Sequence, residues 1–186
     1  MIKLFVLLFP IILFSWEEYK SVDDIHIYKQ DKSQFDFAQF KAETIISVSI
    51  DEITKHIINP KTYIYWLSDC INARQDNDNI YILMQPPWPL RKRQVMSKLN
   101  IKTYANKKEI TLSSINKQPP SSNGIWFNYL YAMFTLEPIN ETHTKVTLSL
   151  VGDPGGFPPA WIVNLMAWEI PYKSLRDLKL YLKNKN

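Results

Sequence analysis

Apolar and polar residues alternate at a period of two through most of this chain, and the period lengthens to that of a helix at only a few places. Ile25 and Ile27 alternate with His26 and Tyr28, and Phe40 to Ile50 repeats the pattern with Ile46, Val48 and Ile50 on one face. Ile80, Ile82 and Met84 form a third set. Val95, Ser97, Leu99 and Ile101 alternate with Met96, Lys98, Asn100 and Lys102, as in a strand wetted on one side, and Ile110 and Leu112 continue the inner face. Ile125 to Leu136 is rich in aromatics on both faces, and Val146, Leu148 and Leu150 close the series. Turns fall at Asn106–Lys107 and in the stretch from Pro119 to Gly124, and the proline-rich PPWPL from Pro86 to Leu90 predicts a sharp bend. Consecutive strands on short turns predict an antiparallel meander.

Helical spacing interrupts this series early. Ser49 and Glu52 have the spacing of a capping box, Ile53 and Ile57 carry a short helix, and Asn59 with Pro60 stops it. A second short helix follows with Tyr63, Trp66 and Leu67 facing inward. Trp16 to Lys20 leaves room only for a short helical or irregular segment.

The last third departs most from the pattern. Asp153, Pro154, Gly155 and Gly156 form a turn cluster, Pro159 suits a first helical turn, and a long periodic segment follows. Trp161, Leu165, Trp168, Tyr172, Leu175, Leu178 and Leu182 recur three or four residues apart, which predicts one buried helical face. Before Pro171 the helix is apolar all round, with Ile162, Val163, Met166, Ala167 and Ile170 on its other sides. A helix apolar on every side is covered on more than one. One side has a sheet to lie on; the other faces more protein or a hydrophobic ligand. Pro171 is expected to bend the helix.

With 186 residues, 46% of them hydrophobic, the chain has material for one domain with a sizeable core. Net charge is +4, but the basic residues are dispersed among 18 acidic ones, which gives no prompt for nucleic-acid binding. Cys70 is the only cysteine, so no internal disulfide and no cysteine metal cluster is available. Lys3 precedes an apolar run from Leu4 to Phe14, too short for an ordinary membrane-spanning helix and suited to the core of a secretory signal. The expected organisation is a signal peptide or N-terminal membrane anchor over residues 1–15 and one domain over 16–186, exported to the periplasm or medium or tethered to a membrane.

Motifs for catalysis are missing. The four glycines fit neither a dinucleotide fingerprint nor a phosphate loop, no serine sits in a nucleophile elbow, and His26, His56 and His143 lie on separate elements without metal-ligand spacing. Asp23 and Asp24 read as a solvated turn. No metal or cofactor is expected. Lys173, Arg176, Lys179 and Lys183 form a basic row that suits a helix C-terminus and offers a patch for anionic head groups.

Three stretches together resemble the START lipid-transfer domains. WEEYKSVDDIHIYKQ is similar to their Trp-initiated start and first strand, PPWPLRKRQV to their Pro-Trp-Pro-Leu followed by Arg-Asp, and GDPGGFPPAWIVN to the stretch that opens their last helix. The likeness runs from Trp16 to the C-terminus. It departs at Gln94, where the family has Asp, and at Trp126, where it has arginine. The resemblance implies an α+β helix-grip fold, a curved antiparallel sheet closed by a long C-terminal helix around a hydrophobic cavity. It also implies a non-enzymatic role in binding one lipid or sterol-like ligand and carrying or sensing it, as a monomer that meets a membrane surface transiently. The charged tunnel pair of some members aligns near Ile80 to Ile82 and with Leu99, so a more apolar cavity is expected.

Strand parity and the all-round apolar helix select a cavity lining: Ile82, Val95, Leu99, Ile101, Ile110 and Leu112 from the sheet, and Val163, Met166, Ala167 and Ile170 from the helix. A charge at Leu99 is expected to abolish uptake. Two other readings compete. A hydrolase or cyclase working in the same cavity needs an inward acid or base, for which His56, Glu169 and Tyr129 are the candidates. A membrane-tethered interaction module needs the cavity to be collapsed.

Overall fold

The computed structural model describes residues 15–30, 37–115, 124–156 and 159–185. The signal peptide or membrane anchor expected over residues 1–15 therefore lies almost wholly outside the described residues. So does the loop expected from Pro119, apart from Gly124.

Ten strands form one sheet among the described residues: β1 (Glu17–Val22), β2 (Ile25–Gln30), β3 (Gln39–Ile46), β4 (Cys70–Asp76), β5 (Asn79–Met84), β6 (Arg93–Thr103), β7 (Lys108–Ser114), β8 (Ile125–Trp126), β9 (Tyr129–Asn140) and β10 (His143–Asp153). Their order is β1-β2-β3-β10-β9-β7-β6-β5-β4, antiparallel throughout, with the short β8 laid parallel on β6. Between β3 and β4 come α1 (Ile50–Ile57), a 3-10 turn (Pro60–Thr62) and α2 (Tyr63–Trp66). The Ser49 side chain accepts the Glu52 N–H, as the capping-box spacing predicts. The curved antiparallel sheet and its long C-terminal helical segment are the expected helix-grip arrangement.

Two edge strands differ from expectation. Glu17–Val22 is a strand, not a helical or irregular segment, because Asp23 and Asp24 take φ of 53° and 57° and make a two-residue hairpin turn. Cys70–Asp76 is also a strand; most of its residues are exposed, so it carries no alternation to read. The aromatic segment beginning at Ile125 is split at Phe127–Asn128 into β8 and β9. Gly155 lies against this break with φ +71°, where a Cβ would meet the Trp126 carbonyl at 2.4 Å.

The predicted single helix is two: α3 (Ala160–Met166) and α4 (Glu169–Lys183). The break falls at Ala167–Trp168, ahead of Pro171, because a proline lacks the N–H for the carbonyl four residues back and its ring crowds that carbonyl. That residue is Ala167, whose carbonyl takes only a 3.4 Å bond from the Ile170 N–H. The two helices also part in what they bury. Tyr172, Leu175, Leu178 and Leu182 of α4 are buried in the main core, whereas α3 has no buried residue, and Trp161 and Leu165 are 68% and 65% exposed. The stripe predicted through Trp161 and Leu165 thus holds only from Tyr172 onward.

The core fills one end of the space between sheet and helices. Trp66 meets Phe134 edge-on at 5.8 Å, donates through Nε1 to Thr62 Oγ1, and packs beside Tyr63, whose hydroxyl donates to the Ile57 carbonyl. At the other end, under α3 and the first turn of α4, the space is open.

Candidate binding cavity

This open space is a cavity of about 130 Å3 with an almost entirely apolar wall. Its floor comes from β3, β5, β7, β9 and β10 through Phe40, Ile82, Met84, Leu112, Leu130, Ala132, Phe134, Leu148 and Leu150. Its roof is Val163, Met166, Ala167 and Ile170, and Pro86, Pro87 and Leu90 of the proline-rich bend border it.

Of the residues selected from sequence, Ile82, Leu112, Val163, Met166, Ala167 and Ile170 line this space. The other four do not. Val95 and Ile110 are buried in the packed core, and Leu99 packs against that core while half-exposed. Ile101 is 40% exposed, because the far half of β6 runs beyond the cover of the helices. Alternation identified the inward face correctly for these strands but not how far along each strand the roof extends. The lining from β9 and β10 went unselected although Leu130, Ala132 and Phe134 show the same alternation.

Charged groups enter the wall, among them Glu169, the one of the three candidate acids and bases that lines it. Arg93 is 2% exposed; its guanidinium donates to the carbonyls of Arg91 (2.9 Å) and Gly155 (3.4 Å), tying the segment after the proline-rich bend to the turn before α3. Burial, with Arg91 alongside, holds its pKa below the usual guanidinium value. Ser68, Asp69 and Glu169 also line the cavity. Glu169 is ion-paired with Lys173 one helical turn on. Asp69 has φ 58° and its carbonyl accepts the Gln85 N–H; burial raises the pKa of its carboxyl. Arg93 was marked only as the arginine of the Arg-Asp resemblance, and no sequence signal pointed to Asp69, which joins the wall through neighbours distant in the chain. His56 and Tyr129 are outside the lining.

Cys70 is buried and its thiol is pushed up to about 11 by burial, which suits a packing role. The basic row of the last helix is partly consumed by ion pairs, Lys173 with Glu169 and Arg176 with Asp177.

Two segments of the roof are pinned. Asn164 Oδ1 accepts the Ala38 N–H at 2.8 Å, joining α3 to the start of β3. Tyr172 donates to Asp23 at 2.6 Å, and the Ser68 N–H donates to Ser174 Oγ at 3.1 Å, joining α4 to the first hairpin and to the start of β4.

No protein-family model and no curated protein matches the sequence. Solved structures do. A STAR-related lipid transfer protein from Xanthomonas axonopodis superposes with a TM-score of 0.81 at 19% identity, over 90% of this chain and 98% of that one. Human StAR-related lipid transfer protein 5 does so with a TM-score of 0.81 at 12% identity, over 91% and 86%. The di-domain ARO/CYC protein BexL reaches 0.54 at 16% identity, over 78% of this chain and 46% of that one. At these identities the likeness is one of architecture. Sheet order, helix placement and the cavity beneath the last helices therefore give this chain the fold of the STAR-related lipid transfer domains.

Proposed function

We propose that this protein binds one lipid or sterol-like hydrophobic molecule in the cavity and carries or senses it without altering it chemically. The observation that carries the reading is an apolar hollow roofed by α3, a helix segment with no buried residue. Moving an acyl chain through water exposes methylenes at about 0.8 kcal/mol each, so about fourteen cost roughly 11 kcal/mol, and a dry cavity offsets that cost. A cavity of about 130 Å3 is close to an engineered one that admits benzene and short of the ~300–1,000 Å3 of drug-sized sites. The closed form thus shelters only part of a lipid. Uptake of a whole molecule requires α3 to swing outward about Ala167–Trp168, at a membrane surface that supplies the ligand. On this reading the protein is a monomeric carrier that works at that surface, exported or tethered, and the apolar run at residues 4–14 supports it.

The alternative, a hydrolase or cyclase, draws on Glu169, which lines the cavity; its pairing with Lys173 favours an anchoring role over proton transfer.

Native mass spectrometry of the purified chain, followed by solvent extraction, tests the proposal. One defined lipid per chain is the expected result. No adduct after incubation with several lipid mixtures would overturn it.

A further inference from the structure

The cavity has one polar corner, where the turn between α2 and β4 meets the first turns of α4. Ser68 and Asp69 form its lower side and Glu169 its upper side. Most charges around the cavity are already engaged. Glu169 is paired with Lys173, and Arg93 is held by the backbone carbonyls of Arg91 and Gly155. Two groups remain. The Ser68 hydroxyl is buried, in a residue 4% exposed, and meets no group in close hydrogen-bond geometry, although it lies near enough to the Asp69 carboxyl to act on its pKa. The Asp69 carboxyl stands next to it in the wall.

A buried hydroxyl without a close hydrogen bond carries a desolvation cost that a ligand group can relieve. An ionised carboxylate only accepts hydrogen bonds, so it selects a ligand end that donates one. An anionic head would meet Asp69 and Glu169 at close range, and like charges set together cost several kcal/mol. An ammonium head would need its own charge desolvated against a carboxylate corner that Lys173 already helps neutralise. A hydroxyl meets none of these penalties. It can donate to Asp69 and accept from Ser68.

We infer that the Ser68–Asp69 corner is the polar pole of the site and receives the uncharged hydroxyl end of an amphiphile, excluding carboxylate and phosphate heads. This rests on the reading of the cavity as a site for a hydrophobic ligand, and it narrows the class of that ligand.

The test compares octanol, octanoate, octyl phosphate and octylamine, all soluble monomers with one tail, by isothermal titration calorimetry at pH 7.5. Wild type should bind octanol at least about tenfold more tightly than octanoate or octyl phosphate. Asp69→Asn should shrink that ratio severalfold. Asparagine tolerates the left-handed backbone at this position, and the Asp69 carbonyl bond to Gln85 is untouched, so the variant keeps the turn. Ser68→Ala should weaken octanol by about fivefold and leave octanoate unchanged, giving an independent measure of the same corner. Equal affinity for octanol and octanoate, tightest binding of octylamine, or an octanol preference indifferent to both substitutions would overturn the inference while leaving the cavity as a binding site. Failure of all four amphiphiles to bind would overturn it together with the proposed function.

Discussion

Asn164 on α3 accepts the backbone N–H of Ala38 at the entrance to β3, 2.8 Å away, so that a lining residue of the cavity is tied to the helix that roofs it. Because α3 has no buried residue, this bond is a polar restraint that packing does not duplicate. Asn164→Ala should speed ligand release and amide exchange over residues 160–166. The loss of one such bond is worth about 1 kcal/mol, or roughly fivefold in rate if it is broken in the open state. Hydrogen exchange with and without ligand checks this; unchanged protection in α3 would show that the roof is held by other means.

Filling the cavity separates its role from that of the core. Ala132→Leu adds methyl groups to the floor and should remove ligand binding while stability stays within about 1 kcal/mol of wild type. Leu99 is half-exposed and outside the lining, so Leu99→Lys should leave uptake intact, contrary to the expectation drawn from alternation alone. Titration of both variants with octanol, alongside urea unfolding, gives the comparison.

The two helices should respond differently to truncation. Leu178 is 0% exposed, and Leu178→Ala should cost about 2–5 kcal/mol. Leu165→Ala, at a position 65% exposed, should leave stability within about 0.5 kcal/mol. A large loss from Leu165→Ala would mean that α3 is packed in solution.

Asp69 supplies a pH dependence of defined sign. Burial raises its pKa in the folded protein, so the fold favours the protonated carboxyl. Its contribution is fully present below the ordinary carboxylate pKa and lost as pH rises through the raised value. Asp69→Asn resembles the protonated form at every pH. The variant should therefore gain stability over wild type as pH rises from about 4 towards neutrality, and the gap should close in acid. Urea midpoints across that range measure it; a gap independent of pH would contradict the assigned environment.

How far the sequence reveals this molecule depends on where each residue sits. Strands covered on one face, such as the segment from Phe40 and the one from Val146, are readable because burial imposes alternation on them, whereas Val95 to Ser97 are buried on both faces, contrary to the wetted face expected there. The edge strands Glu17–Val22 and Cys70–Asp76 have most residues exposed, so nothing in their polarity marks a face. Pro171 signalled a disturbed helix, yet the break lies at Ala167–Trp168 because the proline acts on the carbonyl four residues earlier. Ile82 and Leu112 were found by parity and Met166 and Ala167 by the all-round apolar helix. Ile101 was misplaced because parity says nothing about where the covering helix ends. Asp69 is legible only in three dimensions, since the turn after α2 enters the cavity wall beside α4; Arg93 was marked by the resemblance, but its place in the wall was not.

The division of the terminal segment into an anchored α4 and an unburied α3 separates durability from turnover. The leucines that keep the molecule intact are not those that must part for a guest to leave. Residence time can therefore drift through substitutions in the seven residues from Ala160 to Met166, none of them buried in the core, without eroding the foundation beneath them.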